Sequence, residues 1–316
     1  MRYREPVAIT VTQLTNFLAV IRGGSVTAAA EQLVVTQPSV SAAVAALSRE
    51  LGVNLTERAG RGIVPTRAGE AFAPYASNVL GLLDEGRRVA LEAAGLAARE
   101  LRIAAVTTAA EYIVVPLIKA YTALHPDVSI TLSVDNRAGV FASVREHRAD
   151  VAIGGRPPGD GGLVGTPFLE NQIVAITAPD DPHAGEPDVP IASLAERPWL
   201  LRERGSGTRA MVEDYLAEHG LAPVALTLGS NGAIKHAAQA GLGISLQSRL
   251  AVQLELAQGR LATIALREPP ATRQWYVIQA ATGPVRDVTA AFTSFVTSRA
   301  ARNALSTVRA TDSASP

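Results

Sequence analysis

Cysteine is missing altogether from the 316 residues. That excludes disulfides, thiol catalysis and thiolate-bound metal, and it fits a reducing compartment. Long apolar runs are missing too: none approaches the roughly 20 residues needed to cross a bilayer. The first stretch, MRYREPVAITVTQL, carries two arginines but neither a long apolar core nor a small-residue cleavage site. No secretion signal is therefore expected, and a cytoplasmic location is. Histidine is scarce and scattered (His125, His147, His183, His219, His236), with no HExxH and no pair at ligand spacing. GxSxG, a Walker loop and a complete GxGxxG are also lacking, so no catalytic residue, metal or cofactor is expected. Net charge is zero, with 29 basic and 29 acidic side chains, which argues against coating nucleic acid by bulk electrostatics.

What is present begins with a basic head. Residues 1–67 hold seven arginines against four glutamates, a balance of +3 that leaves −3 for the remainder. That asymmetry suits a chain that touches DNA with one end. Within the head, Leu14, Phe17, Leu18 and Ile21 share one helical face over 11–22. Ala29, Ala30 and Leu33 make a second short apolar block, and Val40, Val44, Leu47 and Leu51 a third. Thr36 stands where an N-cap would, with Pro38 just inside the next helix. The pattern predicts a helix-turn-helix whose last helix can enter a major groove. Two β-prone pieces around Ala59-Gly60-Arg61-Gly62 follow, consistent with a hairpin wing.

From Thr66 a helical pattern runs over 68–98, with Phe72, Tyr75, Val79, Leu82 and Leu83 recurring at threes and fours. Such a seam predicts pairing with a second copy. From Leu101 short apolar strands alternate with helices, implying parallel sheets in two α/β lobes joined by a double crossover. A clamshell of this kind binds its ligand at the carboxyl ends of the strands. The expected division is a winged helix-turn-helix over 1–67, a linker and dimerisation helix over 68–98, and an effector-binding domain over 99–300. Lobe I would take 99–163 and 268–300, lobe II 164–267, and residues 301–316 would be a disordered tail.

In the expected recognition helix, Gln37 can read an adenine edge, while Ser39 and Ser41 can reach bases or phosphates. Thr36 caps the helix, Pro38 fixes its start, Arg49 would grip a phosphate, and Arg58 and Arg61 sit at the wing tip. In the lobes, the loop GSGTR is most informative: Gly205 and Gly207 permit close backbone approach, and the following helix offers free N–H groups. Ser206 and Thr208 add hydroxyls, and Arg202 or Arg209 can fork onto a carboxylate or phosphate. Thr107, Thr108, Arg156, Asn231 and Lys235 stand at other strand ends. Together they predict a small anionic ligand. A small-molecule-binding clamshell or a transferase without any DNA-binding role would be the alternatives.

The head resembles the N-terminal signature of the LysR-type transcriptional regulators. The shared marks are Ala29-Ala30, Leu33, Gln37-Pro38-Ser39-Val40-Ser41, Leu47, Leu51-Gly52, Leu55, Arg58, Thr66 and Ala68-Gly69. Ser48 and Thr56 depart from it, where the family commonly has an acidic and an aromatic residue. The order of linker helix and two-lobed, periplasmic-binding-protein-like domain matches as well. DVAIGGRPP (150–158), RERGSGTR (202–209) and GSNGAIKHAAQAGLGIS (229–245) are similar to the subgroup regulating carbon-dioxide-fixation operons. The resemblance implies double-stranded promoter DNA with a two-fold site, a dimer or tetramer, and RNA polymerase as a compatible partner. It also implies a phosphorylated or otherwise anionic effector.

Overall fold

The computed structural model describes residues 8–60 and 62–310, with side chains to 306. The chain divides between Ala97 and Ala98 into two compact units. Among the described residues no helix is long and apolar enough to cross a membrane.

The first unit opens with α1 (Val11–Gly23), α2 (Val26–Leu33) and α3 (Gln37–Leu51). Each start is fixed by a hydroxyl. Thr10 and Gln13 form a capping box on α1, Ser25 accepts from the Ala28 N–H, and Thr36 accepts from the Ser39 N–H. Each end is a residue in the left-handed region: Gly24, Val34 and Gly52. Leu14, Phe17, Val20, Ala29, Val40, Val44, Leu47 and Leu55 are buried together between the three helices. The hairpin β1 (Thr56–Ala59) and β2 (Gly62–Pro65) pairs Thr56 with Pro65 and Arg58 with Ile63. It is held to the helices by the Ile63 N–H on the Gly24 carbonyl at 2.7 Å. Thr66 then caps α4 (Arg67–Ala93), whose Phe72 ring meets Phe17 at 5.8 Å.

The second unit is built on two lobes. β3 (Arg99–Val106) leads into α5 (Thr107–Ala109), a π-helical turn over Ala110–Val114, and α6 (Val115–Leu124). β4 (Val128–Asp135), α7 (Arg137–Arg145), β5 (Val151–Gly154) and β6 (Leu163–Asn171) follow. The chain then crosses to β7 (Ile173–Thr177), β8 (Trp199–Arg202), α8 (Gly207–Glu218), β9 (Ala225–Leu228) and α9 (Asn231–Gln239). β10 (Ser245–Ser248), α10 (Arg249–Ala257) and β11 (Ala262–Ile264) complete that lobe. β12 (Arg273–Ala280), α11 (Asp287–Val296) and α12 (Arg299–Ala310) return to the first.

Three sequence expectations need correction. The first-lobe sheet, ordered β4-β3-β5-β12-β6, is mixed: β3 runs parallel to β4 and β5, but β12 is antiparallel to β5 and β6. Because β6 pairs with β12 along its whole length, residues 163–171 belong to lobe I, and the crossing falls at Gln172 instead of 164. The tail expected over 301–316 is helical to Ala310, with Ala301 and Leu305 buried in the core of Tyr121, Phe292 and Phe295. Alanine is the strongest helix former, and the four-residue spacing of Ala301 and Leu305 puts both on one face. Residues 311–316 lie outside the described residues.

The second lobe has an antiparallel sheet, β10-β7-β11, and a parallel pair, β8-β9, bridged by Trp199 and Ile244. Its core gathers Trp199, Leu201, Val212, Leu216, Ile244 and Leu246.

Candidate functional site

In the first unit, residues 34–39 form an unbroken exposed run at the entry to α3, and Ser41 is exposed beyond the buried Val40. The Thr36 and Ser39 hydroxyls lie 2.8 Å apart and are engaged with each other as well as with the cap. Gln37 and Pro38 stand open beside them. Arg49 is exposed in the last turn of α3, and Arg58 is exposed on β1; Arg61 lies outside the described residues. A helix start that bares small polar groups and a glutamine, flanked by arginines, is suited to a nucleic-acid groove. Ser48, one of the two departures from the family signature, has a local use: its hydroxyl accepts from the Leu55 N–H at 3.4 Å.

In the second unit a cleft of about 60 Å³ lies between the lobes. Two helices aim their N-termini at it. Asn136 caps α7 by accepting from the Gly139 N–H, and Ser206 caps α8 by accepting from the Thr208 N–H. The remaining N–H groups and the positive dipole ends favour an anion. Three arginines reinforce them. Arg202, the last residue of β8, is buried and donates from Nε and Nη2 to Glu203 at 2.8 and 3.0 Å. Its Nη1 bonds the Asn231 side-chain oxygen, and Asn231 Nδ2 donates to Thr108 Oγ1 at 2.8 Å. That chain of bonds ties lobe II to lobe I.

Arg137 Nη2 donates to the Arg156 carbonyl at 3.0 Å, and the guanidinium sits 4.8 Å from the Phe141 ring centroid. Its Nε is buried without a hydrogen-bond partner. Arg273 opens β12 and donates to the Gly207 carbonyl at 3.2 Å. Burial first, and the Arg137 charge second, lower its pKa from the ordinary arginine value. A cation so desolvated beside another cation gains from an anion that neutralises both. Of the two carboxylates in the wall, Glu203 is occupied by Arg202, and Asp135 accepts from the Asn136 N–H at 2.7 Å.

Thr107, Thr108, Arg202, Ser206, Gly207 and Thr208 line this cleft. Asn231 stands behind it as the partner of Arg202. Gly205 and Arg209 lie on the outer rim with Arg204, and Arg209 is spent on Glu213 at 2.8 Å. Arg156 lends Arg137 its carbonyl and donates from Nε to Tyr276 at 3.2 Å. Lys235 is not brought to the cleft: it is paired with Glu255 of α10 at 2.7 Å, both side chains being largely buried. Burial would lower its pKa, but Glu255 and Tyr112 more than reverse this and raise it.

Sequence reading missed Arg137, Asn136, Asn171, Ser248 and Arg273. The first two had a signal, since DNRAG (135–139) repeats the strand-to-cap-to-helix pattern that singled out Ser206. Asn171 and Ser248 are buried partners at 2.6 Å on the two sides of the crossing, and nothing local marks them. Arg273 reaches the site only through the return of β12.

Residues 11–70 match the family model of the bacterial regulatory helix-turn-helix protein, lysR family, and residues 94–301 that of the LysR substrate binding domain. Among curated relatives, the HTH-type transcriptional activator CmpR of Synechocystis sp. (strain PCC 6803) is 36% identical, over 85% of this chain and 88% of that protein. A RuBisCO operon transcriptional regulator of Allochromatium vinosum is 34% identical, over 93% of this chain and 97% of that protein. Among solved structures, the regulatory domain of Synechocystis PCC6803 CcmR, in complex with 2-PG, superposes with a TM-score of 0.60 at 32% identity. It covers 63% of this chain and 95% of that one.

Proposed function

This chain belongs to the LysR family of DNA-binding transcriptional regulators, and from that membership we propose that its interlobe cleft receives a small anionic metabolite. The observation that carries the reading is the convergence of Arg137, Arg202 and Arg273 with the N-termini of α7 and α8 on one cavity. Thr107, Thr108, Ser206 and Thr208 supply hydroxyls around it. The CcmR regulatory domain was solved with 2-phosphoglycolate, a carboxylate and phosphate in one molecule, which is the chemistry that such a cleft suits. In this reading the cleft binds without catalysis, and the protein works in the cytoplasm.

DNA is read by the α3 entry, with Gln37 on base edges, Thr36, Ser39 and Ser41 on bases or phosphates, and Arg49, Arg58 and Arg61 on the backbone. Tyr75, Val79 and Leu83 form an exposed stripe at four-residue spacing on α4. That stripe supports a homodimer through α4, and so a two-fold promoter site; a tetramer and contact with RNA polymerase are compatible with it. Closure of the lobes on the effector would then change the spacing of the two DNA-reading heads.

Thermal unfolding of the full chain tests the ligand class. A ligand at about 100 times its Kd stabilises the folded state by about 2.7 kcal/mol. 2-Phosphoglycolate or a related carboxylate or phosphate is expected to raise Tm, and glycerol is not. If no anion of a broad panel raises Tm, or glycerol does so equally, the assignment fails.

A further inference from the structure

Val34 ends α2 with φ 56° and ψ 47°, in the left-handed region. Three described residues other than glycine have positive φ: Val34, His147 and Asp188. Histidine and aspartate enter that region with little difficulty, whereas a β-branched residue there is an outlier. The conformation is imposed by the turn, since the Val34 N–H donates to the Glu31 carbonyl at 3.3 Å and the Val35 N–H to the Ala30 carbonyl at 3.0 Å. Glycine or asparagine would meet the same bonds without strain.

The strain is not repaid by packing. The Val34 side chain is 89% exposed, more than any other exposed large hydrophobic residue among those described, and Val35 beside it is 46% exposed. Both stand immediately before the Thr36 cap, continuous with the exposed Gln37 and Pro38. A strained, solvent-facing valine at the mouth of a groove-reading helix fits a function that needs its methyl groups. In the major groove the one apolar feature of a base edge is the thymine C5-methyl.

We propose that Val34 is a specificity-determining residue that packs its methyl groups on a thymine methyl beside the base pair met by Gln37. The inference rests on the reading that the α3 entry faces DNA. Its occupant is the major groove of a duplex, in continuity with the exposed start of the recognition helix. The valine trades local stability for preference at one base pair.

The test uses the full chain and duplexes that it selects from a random pool. Thymines are replaced one at a time by uracil, which removes only the methyl. Wild-type protein is expected to lose about four-fold in affinity at one thymine in each half-site, the worth of burying one methyl-sized group. Val34→Asn is expected to show no loss there, to bind the unmodified duplex correspondingly more weakly, and to melt a few degrees higher. The inference is overturned if uracil is neutral at every thymine, or if Val34→Asn keeps the wild-type response. Gln37→Ala separates the two readings. If it leaves base preference unchanged while the uracil effect at Val34 persists, the role of Gln37 falls and that of Val34 stands.

Discussion

A methyl group added to Gly69 would sit 1.9 Å from the Leu55 carbonyl oxygen, because the first turn of α4 is pressed against the segment that leads into the wing. Gly69→Ala must therefore move backbone, and it is expected to destabilise the first unit by about 1–3 kcal/mol, read as a lower melting temperature. Gly207 is a different case. Its added carbon would meet Arg137 Cδ at 3.0 Å, so that side chain, and not backbone, must give. Gly207→Ala should leave Tm near wild type but displace Arg137 and weaken anion binding, measured by calorimetry. On the DNA face, Arg58→Ala is expected to weaken specific and random DNA alike and to reduce the salt slope by about 1, whereas Gln37→Ala should lower discrimination between them. Competition binding at several salt concentrations distinguishes the two.

At the scale of elements, legibility followed locality. α1, α2 and α3 were readable because their caps, Thr36 among them, are encoded within four residues of each start. The wing was readable from Gly60 and Gly62. What escaped depends on pairing far along the chain: β6 looks like the beginning of lobe II until β12 returns to pair with it. α12 escaped because small and polar residues read as a tail until Ala301 and Leu305 find the first-lobe core. Lys235 reads as an anion ligand until α10 supplies Glu255. Tyr75→Asp with Leu83→Asp on α4 should convert a dimer to monomers in sedimentation; unchanged mass would remove α4 from the interface. In lobe II, the Asp181 side chain is largely buried, which alone would raise its carboxyl, but Arg197, Thr177 and the His183 N–H hold it down at about 2. A depressed carboxyl stabilises the fold above its unfolded value near 4 and loses that contribution as pH falls towards 2. Asp181→Asn should flatten that part of the acid-denaturation curve relative to wild type.

Across the whole molecule, two kinds of surface divide the work. A neutral chain carries its positive excess in the DNA-reading head, and its second unit gathers Arg137, Arg202 and Arg273 from α7, β8 and β12 around one small cavity. The head was nearly all legible in 45 residues of sequence, while the cavity was half legible, since Arg137 is marked only by a repeated cap pattern and Arg273 is placed by topology alone. An anion in that cavity is proposed to govern how the heads meet DNA. The most direct measurement is a DNase footprint of the full chain on a selected duplex, with and without saturating 2-phosphoglycolate or another anion that raises Tm. The expected result is a footprint whose length or internal spacing changes for wild type and stays fixed for Arg273→Ala. An anion that binds the cleft yet leaves the wild-type footprint and affinity unaltered would contradict it.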